Sequence, residues 1–223
     1  MKLFSLIKTR VSALSCVLML SACASIPQTS EPIGPPEPAA GNVEPGWLSQ
    51  SEPFVVNRQL SEVDWRYSAK VGLTTDSLRE QANLVWQYAD QKNSIRLFGP
   101  LGVGAIKIEF DEAGVQLSDN KGVLHRGSSA QQLLTDIVGW PLPIDALSHW
   151  LFVQPDLALP YQYRLNEEGQ VASIRQLGWQ IDYSNYRQYD DQFLPRKLSA
   201  YKQFASSEQG AVSVKLITKS WQW

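Results

Sequence analysis

The sequence has few of the residues that build covalent or metal-bound frameworks. It holds two cysteines and two histidines among 223 residues, too few for a disulfide framework or for a zinc site with four Cys or His ligands. Lys and Arg number 20 against 22 Asp and Glu, a formal net charge of −2, and no block of basic residues occurs. Electrostatic binding to phosphate backbones has no obvious source, so we expect neither a metal nor a nucleic-acid partner.

The N-terminus has the features of a bacterial lipoprotein signal. Lys2, Lys8 and Arg10 precede an apolar run over residues 11–20, which is about half the roughly 20 residues that span a bilayer as a helix. The run ends in Leu20-Ser21-Ala22-Cys23, which looks like a lipobox. In such a motif, small residues admit the signal peptidase and the cysteine thiol accepts a diacylglyceryl group.

Cleavage before Cys23 would make residues 1–22 a signal peptide. Cys23 would then carry diacylglycerol on its thiol and an N-acyl chain; the alternative is an ordinary signal peptide cut near a cysteine by coincidence. The next residue is Ala24, where an Asp tends to retain such proteins in the inner membrane, so by analogy we expect the outer membrane. The mature chain would have 17 Lys and Arg against 22 Asp and Glu, a net charge of −5, and no free thiol for redox or nucleophilic chemistry.

Residues 23–46 are predicted to form a tether between the acylated cysteine and a folded domain. Six prolines lie between Ala24 and Gly46, with few large apolar side chains. Such a segment cannot repay its ordering entropy by burial, and in a partly polyproline-II form it would reach about 3.1 Å per residue. The folded domain is predicted to cover residues 47–223, with residues 47–63 as a short helix or an irregular lead-in.

Period-2 alternation of apolar and polar residues dominates the folded domain and predicts half-buried strands. The clearest examples run over residues 106–110, 179–183 and 212–216. Turn sequences rich in Asn, Asp and Gly separate the strands and indicate short hairpins. Further strands are predicted at 64–73, 82–89, 94–98, 114–118, 121–125, 161–166, 170–177 and 197–204. The pattern predicts a mainly β fold with an antiparallel meander.

Two amphipathic helices interrupt the strands near the middle of the chain. Ser128 or Ser129 can cap the first, which carries Leu133, Leu134, Ile137 and Val138 on one face and stops at Gly139. The second begins near Pro143 and carries Ile144, Leu147, Trp150 and Leu151. A long antiparallel sheet must hide its apolar face. We therefore expect a strongly curved, barrel-like sheet with these helices packed over its concave side.

The order of several short motifs resembles the LolB family of outer-membrane lipoprotein receptors. The motifs are Gly99-Pro100-Leu101-Gly102-Val103-Gly104, Asp119-Asn120-Lys121-Gly122, Gly139-Trp140-Pro141-Leu142-Pro143, Gly178-Trp179, Leu194-Pro195 and Val214-Lys215-Leu216. The similarity extends from about Trp47 to the C-terminus. Two departures are Val153, where the family usually has a glycine, and Ala69-Lys70, where Gly-Arg or Gly-Lys is common.

This resemblance implies a half-open β-barrel with a helical lid over a hydrophobic cavity for acyl chains. Members of the family take lipoproteins from the periplasmic carrier LolA and insert them into the inner leaflet of the outer membrane. The implied partners are therefore LolA, acylated lipoprotein cargo and that leaflet. The resemblance implies no cofactor besides the lipid on Cys23, and we expect a monomer anchored on the periplasmic side of the outer membrane.

The loop of Pro100, Leu101, Gly102 and Val103 is the predicted membrane-insertion element. In the family the leucine at this position protrudes and helps to insert cargo into the bilayer. The alternative is that Leu101 folds back onto the core, as most leucines do.

Aromatic and aliphatic side chains could line the acyl cavity, although each alone could equally be ordinary core. The candidates are Trp86, Ile95, Leu97, Ile106, Ile108, Phe110, Leu117, Leu134, Trp140, Leu147, Trp150, Leu151, Trp179, Ile181 and Tyr183.

Two other functions remain open from the residues. The domain could be a scaffold with a filled core that binds another protein or the cell wall. It could also be a hydrolase, but no Gly-x-Ser-x-Gly, His-Glu-x-x-His or phosphate-binding glycine motif occurs. The histidines, His125 beside a hairpin turn and His149 in the second helix, fit structural or surface roles, so we expect no enzymatic activity.

Overall fold

The computed structural model describes residues 46–49, 63–99, 102, 104–204 and 210–223. The predicted signal peptide, Cys23 and the tether up to residue 45 lie outside these residues. Within them, neither helix is long and apolar enough to cross a membrane.

Twelve strands form one antiparallel sheet that curves strongly without closing, which confirms the predicted half-open architecture. Their order across the sheet is β1-β8-β9-β10-β11-β12-β2-β3-β4-β5-β6-β7. The sheet thus consists of two meanders, joined where the last strand pairs with the second. The strands are β1 Leu48–Ser49, β2 Trp65–Thr74, β3 Arg79–Ala89, β4 Lys92–Phe98, β5 Ile106–Asp111, β6 Gly114–Ser118, β7 Leu124–Gly127, β8 Tyr161–Leu165, β9 Val171–Gln176, β10 Trp179–Tyr189, β11 Gln192–Gln203 and β12 Ala211–Gln222.

Alternation along the strands places one side chain in two inside the curve, as predicted. In β2, Trp65, Tyr67, Ala69, Val71 and Leu73 are buried, and the residues between them are exposed or partly exposed. Because facing residues of paired strands share a side of the sheet, the buried sets continue from strand to strand into a single core.

The predicted lead-in contains a strand at its start. Leu48 and Ser49 pair with Tyr163 and Gln162 of β8 and extend the sheet by one edge. Trp47, just before them, is 7% exposed, and the guanidinium carbons of Arg175 and Arg164 lie 4.0 and 5.4 Å from its ring centroid. Cation–π contact at a desolvated ring compensates for the small number of backbone hydrogen bonds that a two-residue strand can make.

The predicted helices lie between the two meanders, and the first has an unexpected internal change. Helix α1 covers Ala130–Leu133, with the Ser129 hydroxyl accepting a hydrogen bond from the Gln132 amide, and continues as a π-helical segment over Leu134–Val138. A π turn shifts the side chains that follow it. Leu134 is therefore buried while Ile137 is 40% exposed, so the predicted Ile137 contact with the core is wrong.

A glycine and a proline mark the boundaries of the helices at the predicted positions. Gly139 has φ of +76° and ends the π-helical segment, a conformation that glycine adopts without steric cost. Helix α2 covers Ile144–Leu151, directly after Pro143. We call residues 130–153, which cover the concave face, the helical lid.

The turn between β6 and β7 is organised by the Asp119 carboxylate. Its oxygens accept hydrogen bonds from the amides of Lys121 and Val123 at 2.8 and 2.9 Å and lie 3.2 Å from the His125 ring nitrogen. The Val123 amide is the main cause of a lowered Asp119 pKa, and His125 acts in the same direction. Hydrogen bonds to the ionised form stabilise that form.

The lowered pKa predicts how this turn responds to acid. The stability contributed by Asp119 is present above its unfolded pKa, about 3.9, and is lost as the pH falls through the lower folded value. In an NMR titration we expect the Asp119 carboxyl to titrate below about 3.9. Asp119→Ala should reduce the pH dependence of stability in acid, whereas Glu112→Ala, in the neighbouring exposed turn, should not. A midpoint at or above the ordinary value would contradict the proposed role of the amides.

Candidate functional site

The predicted cavity residues converge on the concave face and the lid, where most of them pack against one another. Ile106 and Phe110 are partly buried beside this core, and the other members of the predicted set are buried within it. These are Trp86, Ile95, Leu97, Ile108, Leu117, Leu134, Trp140, Leu147, Trp150, Leu151, Trp179, Ile181 and Tyr183. The structure therefore brings the set together as one apolar interior, and whether acyl chains contact it remains a prediction.

Helix α2 is held to the sheet by hydrogen bonds centred on Gln176 of β9. The Gln176 side-chain oxygen accepts from Trp150 Nε1 at 3.2 Å and from the Asp156 amide at 2.9 Å, while its nitrogen donates to the Asp156 carbonyl at 2.8 Å. Tyr183 of β10 donates its hydroxyl to the Trp150 carbonyl at 3.0 Å. These bonds satisfy polar groups that would otherwise be buried without partners, and they fix the C-terminal half of the lid.

A second polar contact fixes the segment between the two lid helices. Trp140 Nε1 donates to Glu80 Oε2 of β3 at 2.9 Å, and the Trp140 side chain is buried. A charged acceptor strengthens such a bond. The Gly139-Trp140-Pro141-Leu142-Pro143 motif thus contributes an anchor from the lid to the first meander, as Trp150 does to the second.

The lid ends in an aromatic cluster at one end of the sheet. The Phe152 ring packs against Trp65, Trp221 and Trp223 with centroids 5.5, 4.8 and 5.8 Å apart. Val153 follows with φ of +61°, a left-handed conformation that is strained for a β-branched residue. This is the position where the resembled family usually has glycine. The backbone conformation explains why glycine suits this position, and nothing in the structure explains the valine.

A pocket of about 600 Å³ opens beside this cluster, between the sheet and the lid. Trp65, Tyr88 and Phe110 line the sheet side, and Ile144 and Leu157 line the lid side and the segment after it. Its volume lies within the range of small-molecule sites. Of the predicted cavity residues, only Phe110 lines it. Trp65 lies in the strand predicted over residues 64–73, but the sequence does not show which inward residues lie near an opening.

Trp65, one of the residues that line this pocket, also has a buried polar atom. Trp65 Nε1 is buried and has no hydrogen-bond acceptor among the described residues. A buried donor without a partner is costly to the folded state.

The predicted insertion loop is described only in part. Pro100, Leu101 and Val103 lie outside the described residues, so the protrusion of Leu101 stays a prediction. The Gly102 amide donates to the Gly99 carbonyl at 3.2 Å, and Gly102 and Gly104 have φ of +79° and +69°. A tight turn requires these conformations, which only glycine adopts readily.

Ionisable groups in the interior are tyrosines, whose phenols are kept neutral. Burial raises the pKa of Tyr67, Tyr183 and Tyr186 above the ordinary value. Ser148 and His149 both line the pocket, but the Ser148 hydroxyl donates to the carbonyl of Asp145. Among the described residues, no three His, Cys, Asp or Glu side chains lie close enough to hold a metal ion.

The family is decided by comparison with known sequences. A sequence model of the family described as "Outer membrane lipoprotein LolB" matches residues 63–221. The chain belongs to the LolB family. Membership supports a role in the localisation of outer-membrane lipoproteins.

Relatives named "Outer-membrane lipoprotein LolB" align over most of the chain. That of Francisella tularensis subsp. tularensis (strain WY96-3418) is 30% identical over 159 residues, 71% of this chain and 73% of the relative. That of Pseudomonas aeruginosa (strain LESB58) is 31% identical over 74% of this chain and 78% of the relative. That of Pseudomonas syringae pv. syringae (strain B728a) is 27% identical over 95% of both chains.

Among solved structures, the LolA superfamily protein NE2245 from Nitrosomonas europaea matches with a TM-score of 0.47 and 8% identity, over 73% of this chain and 86% of that chain. A putative outer membrane lipoprotein-sorting protein domain from Vibrio parahaemolyticus has a TM-score of 0.46 and 11% identity, over 71% and 84%.

The hydrogen bonds of the Gln176 side chain predict a measurable contribution to the free energy of unfolding. Gln176→Ala removes the acceptor of two N–H groups, one of them the buried Trp150 indole, and should lower the free energy of unfolding by about 1–3 kcal/mol. Gln116→Ala, at an exposed position of β6, should change it by no more than about 0.5 kcal/mol. Urea denaturation followed by tryptophan fluorescence measures both. Equal effects of the two substitutions would contradict the anchoring role of Gln176.

Proposed function

We propose that this chain is a receptor that accepts acylated lipoproteins from a LolA-type carrier and inserts them into the inner leaflet of the outer membrane. Cys23, acylated, would hold it on the periplasmic side of that membrane. The observation that carries the proposal is the apolar concave face of an unclosed sheet, covered by a separate helical lid with an open pocket at one end. Membership of the LolB family supports it.

The energetics of the cargo explain why an enclosed apolar site is needed. Each methylene exposed to water costs about 0.8 kcal/mol, so a lipoprotein with three long acyl chains faces a barrier of tens of kcal/mol in the aqueous phase. Transfer must therefore pass from one apolar site directly to the next. Without ATP in the periplasm, direction comes from differences in affinity, and about 1.4 kcal/mol already gives a tenfold preference.

The pocket beside Trp65 is the proposed entry point for the acyl chains. Trp65, Tyr88 and Phe110 offer flat apolar surfaces on which methylene chains can pack. Further room arises as the lid separates from the concave face. The interior residues would then exchange contacts with one another for contacts with methylene groups, at little change in apolar burial.

Filling the pocket should prevent this first step. Ser148→Trp places a large ring in the pocket from helix α2, and we expect at least tenfold weaker binding of a fluorescent fatty acid. Ser184→Trp, at an exposed position of β10, is the matched control and should bind like the parent chain. Fluorescence titration of both variants, with circular dichroism as a check on folding, measures the difference. Unchanged binding by Ser148→Trp would exclude this pocket as the entry.

The complete reaction is tested by transfer from loaded carrier. The mature chain with Cys23→Ser, which cannot be acylated, is mixed with LolA that holds a purified lipoprotein, and acceptor liposomes are added afterwards. We expect the cargo to move onto the chain and then into the liposomes. If the chain takes no cargo, the receptor function is wrong and the scaffold function replaces it.

The loop is tested in the same assay. Leu101→Glu should still accept cargo but release it into liposomes at least tenfold more slowly, because a charged side chain costs about 2.5 kcal/mol or more to place in a bilayer interior. Leu165→Glu, at an exposed leucine of a different hairpin, should release cargo normally. Equal release by the two variants would show that Leu101 does not enter the bilayer.

A further inference from the structure

Cations collect on the outer, convex side of five adjacent strands. These strands lie side by side in the order β11-β12-β2-β3-β4. They contain a single carboxylate, Glu80, which accepts the hydrogen bond from Trp140. Glu80 lies opposite Leu73 and therefore belongs to the inward side of the sheet. We call six of their outward basic residues the cationic face: Lys197, Lys215, Lys219, Arg66, Lys70 and Arg96, all of them exposed. Arg79 and Lys92 also lie on this side, at the ends of β3 and β4, and are not counted in it.

The register of the strands places these cations next to one another. Lys197 lies opposite Ile217 of β12, which lies opposite Lys70 of β2. Lys70 in turn lies opposite Asn83, whose side-chain oxygen accepts from Lys219 Nζ at 2.7 Å. With strands about 4.8 Å apart, the face extends roughly 20 Å across the sheet.

The rest of the described domain has the opposite charge distribution. Carboxylates lie mainly in hairpin turns and the lid, among them Asp90, Glu112, Glu167, Asp136 and Asp145. Among the described residues, none of the six cations of the face forms an ion pair with a carboxylate, whereas Lys107 at its border pairs with Glu109 at 2.7 Å. The mature chain has an expected net charge of −5, so the cationic face is a positively charged area on a protein that is negatively charged as a whole.

We propose that the cationic face binds the anionic phospholipid head groups of a membrane surface. Basic residues near a membrane attract anionic lipid head groups additively and without a shaped pocket. The positions between the cations are mostly small or polar, such as Ser68, Gly72, Ser199 and Ser213. Close to the cations, the outward side of β11 and β12 has two exposed large apolar side chains, Tyr201 and Ile217, fewer than the cluster of aromatic or aliphatic anchors at the centre of a stable protein interface. A convex surface cannot touch a flat membrane at every point. The more distant cations still contribute, because electrostatic attraction extends about 8 Å at physiological ionic strength.

Binding of the cationic face to a membrane would orient the domain. The value of this orientation rests on the proposed receptor function. The concave side and its lid would then point away from the membrane, toward an incoming carrier. Arg96 lies 5.3 Å over the ring of Phe98, the last residue of β4, so the face extends to the base of the loop that contains Leu101. Lipid contact by the face brings that loop to the bilayer.

Vesicle co-sedimentation tests the proposal without any cargo or carrier. The mature chain with Cys23→Ser is mixed with phosphatidylethanolamine vesicles that contain or lack about one third phosphatidylglycerol. We expect at least tenfold stronger binding to the anionic vesicles, and loss of most of it at high salt. The triple variant Lys70→Glu, Lys197→Glu, Lys215→Glu should bind them at least tenfold more weakly than the parent. Equal binding to both vesicle types would overturn the proposal.

The matched control reverses three exposed cations outside these five strands, with Lys121→Glu, Arg126→Glu and Arg187→Glu. It has the same net charge as the face variant and should keep most of the vesicle binding, so equal loss in both variants would overturn the proposal. A face variant that binds vesicles normally but no longer takes cargo from the carrier would also overturn it, because the face would then be a protein-binding surface. If the parent binds anionic vesicles as expected yet takes no cargo, the face stands and the receptor function fails.

Discussion

An unclosed sheet with an apolar inner face cannot exist alone in water, and this constraint governs the rest of the domain. Alternation along most strands makes the inner side of the sheet largely apolar, while the two edge strands do not meet to complete a barrel. The lid covers the exposed interior by filling it with α2 and the π-helical segment. Its position between the two meanders in the chain follows from geometry, since a single insertion at that point can reach both halves of the concave surface.

The same apolar surface serves stability and the proposed binding. Burial of Trp86, Trp150 and Leu134 favours the closed state, so cargo has to compensate for the contacts it replaces. Methylene chains do this well because hydrophobic burial has little directional preference. The polar bonds of Gln176, Glu80 and Tyr183 are directional, and they give the closed lid one defined position. In the proposed mechanism, release of the lid would therefore depend on these hydrogen bonds more than on the apolar area that cargo restores.

Much of this arrangement could be predicted from the sequence, and the failures have identifiable physical causes. Alternation predicted most strands but missed the hairpin half of β10 and β11, between residues 184 and 196. Ser128 or Ser129, Gly139 and Pro143 marked the helix boundaries. The misplaced Ile137 reflects a π turn, whose single extra residue leaves no compositional trace. The pocket residues Trp65 and Tyr88 were not distinguished from core, because an opening depends on where the lid ends in three dimensions. The polar partners of Trp140 and Trp150 lie 60 and 26 positions away in the chain, a pairing that no local pattern encodes.

The cation–π contacts at Trp47 affect how the domain responds to a pull on its N-terminal side. The chain enters the described domain at residue 46 and joins the sheet through a strand of two residues. A load applied from the N-terminal side therefore acts on the sheet margin, where strands separate by peeling one pair at a time. The Trp47 indole is in cation–π contact with Arg164 and Arg175. A pulling force on the chain therefore acts on these contacts before it acts on β8. In a domain tethered at this point, a pull from the anchor would act first on the β1–β8 margin.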